Sequence, residues 1–251
     1  MDMIQTFYDQ LASQYHKLFF DWHNATREQA VLLDSLFARF GFTRSSRILD
    51  CACGIGTQAI GLASLGYRVT GSDLSEAALA EAKKRAQQSQ VQIPFLQGDF
   101  RALEAAFDQR FDIVMAMDNA LPHMLTHEDL SDAVRSMVSR VDNGGLFVAS
   151  IRDYDALLAE KPSYSPPYIH KTANGQRVSF QTWDWEDERY KLTQYIIEDE
   201  GTVQVSKFRC AYRATTRQEL TALLLENDCK AVTWLFPEET GFYQPIVVGQ
   251  K

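Results

Sequence analysis

The chain has 251 residues, 45% of them hydrophobic and 23% charged, enough apolar material for one substantial core and a length suited to a single elaborated α/β domain. Lysine and arginine number 25 against 33 aspartates and glutamates, a formal charge of -8, which argues against a nucleic-acid backbone or an anionic membrane surface as partner and leaves a small molecule. No run approaches the length needed to cross a bilayer, and the first ten residues, MDMIQTFYDQ, lack a signal-peptide pattern. Cys51, Cys53, Cys210 and Cys229 lack metal-knuckle spacing. A cytoplasmic protein with reduced thiols and no metal is expected.

In chain order, residues 1–44 read as a helical preamble, with Ala30, Leu33, Phe37 and Phe40 at helical spacing and Gly41 ending it. Tyr8 and Tyr15 are seven apart and share one face if that stretch is a single helix; Trp22 lies beyond. From Arg47 short apolar strands alternate with amphipathic helices. Strands are predicted at 48–49, 67–70, 91–96, 111–117 and 146–151, and helices near 57–65, 75–88 and 127–140, a rhythm that gives a parallel sheet with right-handed crossovers. Asp142-Asn143-Gly144-Gly145 is predicted to be the turn closing the third of these helices. Pro162, Pro166 and Pro167 interrupt the rhythm, and 177–185, 189–197 and 202–212 read as a three-stranded antiparallel insertion. Thr216-Arg217-Gln218-Glu219 has capping-box spacing and starts a helix to about 226, with closing strands at 232–236 and 242–249.

The segment Asp50-Cys51-Ala52-Cys53-Gly54-Ile55-Gly56-Thr57 follows a strand and opens a helix, so bare backbone at Gly54 and Gly56 lets a ligand approach the helix N-terminus. Gly54-x-Gly56-x-x-Ala59 with Asp73 beyond also fits a dinucleotide fingerprint, which keeps a nicotinamide or flavin enzyme under consideration. Asp50 weighs against it. A carboxylate four residues before Gly54 would repel a pyrophosphate, whereas S-adenosylmethionine brings an ammonium and a sulfonium. Asp73, followed by Leu74 at the end of the second strand, can accept both hydroxyls of an adenosine ribose, since Ser75 already supplies the helix cap. Gly98-Asp99-Phe100 either offers Asp99 to an adenine amino group and Phe100 as a stacking surface, or is an ordinary loop.

The acidic Gly-x-Gly loop, the second-strand acid, the third-strand Gly-Asp and the Gly-Gly turn, in that order over residues 45–150, resemble the class I S-adenosylmethionine-dependent methyltransferases. More narrowly, Asp118-Asn119-Ala120-Leu121-Pro122-His123, Ile151-Arg152-Asp153-Tyr154-Asp155 and Ser206-Lys207-Phe208-Arg209-Cys210-Ala211-Tyr212 resemble glycine N-methyltransferase and its glycine/sarcosine relatives. The resemblance implies one domain: a Rossmann-like, seven-stranded, mainly parallel sheet from 45–160 and 215–251, a helical lid over 1–44, and an inserted antiparallel sheet over 161–214 above the active site. It implies S-adenosylmethionine as cofactor, contacted by Tyr15, Trp22, Asp50, Ala52, Gly54, Gly56, Asp73, Leu74, Asp99, Phe100, Met117 and His123. It implies an acceptor site of Tyr8, Asn119, Arg152 and Tyr212. The N-terminal spacing departs from that of animal glycine N-methyltransferase, so lid contacts do not transfer residue by residue.

Apart from the resemblance, Arg152 lies just past the end of a central strand, where open α/β sheets bind ligands, and its guanidinium can clamp a carboxylate with two parallel hydrogen bonds. The alternative is an ion pair with Asp153 or Asp155. Trp183, Trp185, Tyr190, Tyr195 and Phe208 are assigned to packing within the inserted sheet. Methyl transfer needs no nucleophilic side chain, so no general base is assigned, and Tyr15 and Asn119 are the positioning candidates. N-methylation of a small amine bearing a carboxylate is the expectation. A natural-product amine, a nitrogen heterocycle or a hydroxyl acceptor is the alternative, with a dinucleotide-dependent oxidoreductase and a non-catalytic S-adenosylmethionine-binding module as further ones.

Overall fold

The structure, a computed structural model, describes residues 3–251. Its helices are α1 (Met3–Leu11), α2 (Trp22–Arg39), α3 (Thr57–Ser64), α4 (Glu76–Gln88), α5 (His127–Ser139), α6 (Tyr154–Glu160), α7 (Arg217–Glu226) and α8 (Pro237–Thr240). The strands are β1 (Arg47–Asp50), β2 (Arg68–Asp73), β3 (Phe95–Gln97), β4 (Phe111–Ala116), β5 (Val141–Ser150), β6 (Tyr168–Lys171), β7 (Gln176–Glu186), β8 (Arg189–Asp199), β9 (Val203–Arg213), β10 (Ala231–Leu235) and β11 (Ile246–Gln250). Helix starts are marked where polar side chains satisfy free amides: Asp21, Ser75, Thr126 and Thr216 accept from the amides of Asn24, Ala78, Asp129 and Glu219.

Seven strands form one sheet in the order β10-β11-β5-β4-β1-β2-β3. The five from β1 to β5 run parallel, and β11 is antiparallel to both β5 and β10. Apolar side chains fill both faces, with Leu49, Val114 and Phe147 on one and Ile48, Ile113 and Val148 on the other, as expected for a sheet covered on both sides. A second sheet, β6-β7-β8-β9, is wholly antiparallel.

The architecture is the Rossmann-like one expected, and it differs from the sequence reading in detail. The preamble is broken: α1 ends at Leu11 and a single 3-10 turn, Tyr15–Leu18, precedes α2. Tyr8 and Tyr15 therefore sit on different elements. The third strand is only Phe95–Gln97, because Pro94 has no N–H for the ladder and contributes only its carbonyl, to Gly71 N. Asp142-Asn143-Gly144-Gly145 lies within β5 as an irregularity in its pairing with β4, Gly144 at φ 79°, while Arg140 ends the helix. The insertion has four strands; β6 is a short edge strand whose Tyr168 and Ile169 are exposed.

The N-terminal segment and the inserted sheet meet over the C-terminal ends of the parallel strands. Helix α1 packs on β9 and α4, Asp9 Oδ1 accepts from Ser75 Oγ at 2.5 Å, Lys17 pairs with Glu198 at 2.6 Å, and Arg177 donates to Phe19 O at 2.8 Å.

Candidate active site

The loop after β1 is held from the end of β2. Asp73 Oδ2 accepts from Gly54 N at 2.8 Å and Oδ1 from Ser75 N at 2.9 Å. Gly54 (φ 51°) faces open space, with no atom within 4 Å of where a Cβ would sit, whereas a Cβ on Gly56 (φ 89°) would meet Ile60 Cδ1 at 2.8 Å. Above the loop lies a cavity lined by Tyr8, Tyr15, Ala52, Gly54, Gln58, Asp73, Leu74, Asp99, Phe100, Met117, Asp118 and His123 among others. The Asp99 carboxylate is engaged by Arg101, Nη2 to Oδ2 at 2.6 Å.

A second, larger and more open cavity, of about 790 Å³, runs beneath the inserted sheet and is lined by Tyr8, Tyr15, Asp118, Asn119, Arg152, Gln181, Trp183, Tyr212 and Tyr243 among others. Arg152 is set in a neutral cage. It donates to Tyr190 Oη at 2.7 Å and Gln181 Oε1 at 2.8 Å, with the Trp183 and Tyr212 rings 4.9 and 5.6 Å from its guanidinium carbon. Asp153 and Asp155 turn to Arg217 instead, so the neighbouring ion pair anticipated as the alternative is not formed. Among the described residues no carboxylate pairs with Arg152. Asn119 supports it from below: its Oδ1 accepts from Arg152 N at 3.0 Å and its Nδ2 donates to Tyr154 Oη at 3.0 Å.

Tyr8, Tyr15 and Asp118 line both cavities. Asp118 and Asn119 both adopt the left-handed region, φ 57° and 68°, a local strain held by Asp118 N on Ser150 Oγ at 2.8 Å and Asn119 N on Ser150 O at 3.0 Å. The Asp118 carboxylate accepts from Tyr243 Oη at 2.7 Å and Gln58 Nε2 at 2.8 Å. Burial pushes its pKa upward against those two hydrogen bonds, and burial likewise raises Asp73 against its backbone amides. Burial lowers His123 to about 3, so its ring is neutral, and raises the Tyr8 and Tyr15 phenols, which stay protonated.

Of the sixteen residues singled out in the sequence, thirteen line one or both cavities. Trp22, Asp50 and Gly56 line neither. Trp22 is buried between helices, its Nε1 on Thr57 Oγ1 at 3.0 Å and Arg85 over its ring. Gly56 caps α3, and its backbone angle and the contact with Ile60 account for the glycine. Asp50 ends a strand paired on both sides, to β2 and β4; it is fully buried, no side chain donates to its carboxylate among the described residues, and the backbone amides of Ala52 and Ala59 only partly offset the cost of burial. The carboxylates on the first cavity are Asp73, Asp99 and Asp118, and Asp50 lies behind the loop. Sequence reasoning missed Gln58, Asp118 and Tyr243, and took Tyr190 as packing alone. Two adjacent residues tolerant of left-handed backbone, Asp118-Asn119, right after a strand were the available signal.

Residues 48–145 match the family described as a methyltransferase domain. Over these residues the chain carries a methyltransferase domain, set on a Rossmann-like methyltransferase fold. YqeM of Bacillus subtilis (strain 168), a protein named as a methyltransferase, is 37% identical to it over 42% of this chain and 42% of its own length. The glycine N-methyltransferase of Oryctolagus cuniculus is 25% identical over 92% of this chain and 83% of its own length. In three of the curated relatives the match spans 42%, 65% and 52% of their length. A structure of an S-adenosylmethionine-dependent methyltransferase from Clostridium acetobutylicum ATCC 824 shares the fold, with a TM-score of 0.74 at 15% identity over 97% of both chains. The first cavity fits S-adenosylmethionine, the methyl donor expected of such a domain. Acidic side chains suit its two cationic groups and disfavour a pyrophosphate, Gly54 leaves room that a Cβ would fill, and aromatic rings suit a sulfonium.

Proposed function

We propose that this chain methylates the nitrogen of a small amine that also bears a carboxylate, glycine and sarcosine being the simplest of the class. The observation that carries the reading is Arg152, a permanent cation in the wall of the second cavity with no carboxylate partner among the described residues. Two of its five N–H donors are taken by Tyr190 and Gln181, which fixes the plane of the guanidinium and leaves donors for a planar anion. The glycine N-methyltransferase name of the rabbit relative supports the same acceptor class.

When bound, S-adenosylmethionine supplies a methyl group on a sulfonium that an in-line nucleophile displaces. What the chain adds is placement and dryness. Asp73 and the Gly54 loop hold the donor's side of the site. Arg152, oriented by Asn119, Tyr190 and Gln181, holds the acceptor's carboxylate. Tyr8 and Tyr15 stand at the junction and exclude water, and desolvation there favours the neutral amine that the reaction requires.

One observation favours a bulkier acceptor. The second cavity has room for a drug-sized ligand and an apolar wall that includes Phe180, Trp183 and Leu192, so a large amino acid or a natural-product amine fits it better than glycine does. The test is a screen of amino acids, other small amines and phenols for S-adenosylhomocysteine release. Release with carboxylate-bearing amines is expected. Release with hydroxyl compounds alone would overturn the amine reading, and donor binding with no release from any acceptor would point to a non-catalytic module.

A further inference from the structure

Arg152 has an opposite number. Asp118 lines the same cavity, yet the two charges do not pair: Arg152 donates to Tyr190 and Gln181, and Asp118 accepts from Tyr243 and Gln58. Tyr15 and Tyr243 stand in the field of both. The Asp118 carboxylate is aimed by two side chains from distant parts of the chain, Gln58 at the start of α3 and Tyr243 before β11. Its backbone is held in the left-handed region, a conformation that persists only where the surroundings enforce it and that clusters at functional sites. Each carboxylate oxygen accepts one hydrogen bond from the protein and keeps acceptor capacity. The residue also lines the first cavity, so a group held on it sits where the two cavities join.

We propose that Asp118 binds the amino group of the acceptor, so that Asp118 and Arg152 together select a zwitterion, the amine at the junction of the cavities and the carboxylate beneath the inserted sheet. The proposal rests on the carboxylate-bearing-amine reading above and adds the residue that recognises the nitrogen. The field of Asp118 draws the acceptor in as the ammonium, which gives one proton to the Asp118 carboxylate; the neutral amine that remains, still held by an N–H, turns its lone pair toward the first cavity. Its raised pKa suits a carboxylate that takes up that proton.

The test is calorimetric titration of the protein saturated with S-adenosylhomocysteine, using two matched trios: glycine, acetate and methylamine; and phenylalanine, 3-phenylpropionate and 2-phenylethylamine. Wild-type protein should bind an amino acid more tightly than the acid or the amine of its trio. Asp118→Asn keeps a residue that tolerates the left-handed backbone and should weaken the amino acid by about ten- to a hundredfold, the worth of a hydrogen bond to a charged group, while leaving the acid unchanged. Arg152→Gln should do the reverse, weakening the acid and sparing the amine. Near-UV circular dichroism checks that both variants fold.

If Asp118→Asn binds the amino acid as wild type does, or weakens only S-adenosylmethionine, the proposal is overturned and in the second case Asp118 belongs to the donor. If amines bind through Asp118 while acids never bind, the carboxylate reading fails and the amine site stands. Binding of none of the six overturns both.

Discussion

The Tyr8 hydroxyl stands 2.8 Å from Nε2 of His123, 115 residues away in sequence, and the His123 ring lies 4.1 Å from that of Tyr212, centroid to centroid. One chain of contacts thus joins helix α1, the loop after β4 and strand β9, the three elements that meet where the cavities join. Replacing Tyr8 with Phe keeps the ring and removes the hydroxyl. A loss of about 1 kcal/mol in stability is expected, with weaker binding of both donor and acceptor, since Tyr8 lines both cavities. Denaturant unfolding and calorimetry check the two halves.

His123 also sets a pH dependence. Burial lowers its pKa from 6.5 to about 3, so the folded state binds fewer protons than the unfolded state between those values and stability falls as pH falls through that window. The slope from this one group is about 1.4 kcal/mol per pH unit. His123→Gln should flatten the acid limb of the stability curve by that amount while leaving stability above pH 7 less affected, as measured by urea unfolding at a series of pH values.

Asp50 works in the opposite sense. Burial, with the Asp73 and Asp118 charges adding to it, holds its carboxyl well above the usual range, so the stability associated with it is present below that range and is lost as pH rises toward the folded pKa. An unpaired buried carboxylate is a net cost once ionised. Asp50→Asn should raise the melting temperature at pH 8 and bring no gain at pH 4. An equal gain at both would contradict the assignment.

Much of the fold was legible because it depends on local pattern: alternating strands and helices, caps at Ser75 and Thr216, Asp73 at a strand end. What was not legible depends on tertiary recruitment. Asp118 becomes a cavity residue because Gln58 and Tyr243, 60 and 125 residues away, turn its carboxylate. Trp22 was read as a lid residue, and an aromatic at a helix start looks the same in sequence whether it faces a ligand or, as here, Thr57 and Arg85. Asp50 was read as the acid that meets the cofactor, but pairing of β1 on both sides, invisible in sequence, buries it outside both cavities.

The two glycines of the loop separate packing from binding. Gly56→Ala forces a left-handed alanine against Ile60 and should cost roughly 1–3 kcal/mol of stability. Gly54→Ala has the backbone cost alone, about 1–2 kcal/mol, since the added methyl meets no protein atom. That methyl stands in the first cavity, so donor affinity should fall further for Gly54→Ala than stability explains.

The most direct measurement is calorimetric titration of the wild-type chain and of Asp73→Asn with S-adenosylmethionine and, separately, with NAD. Saturable S-adenosylmethionine binding by wild type, weakened at least about tenfold in the variant, with no response to NAD in either, is the expected result. Saturable NAD binding without a response to S-adenosylmethionine would contradict the account.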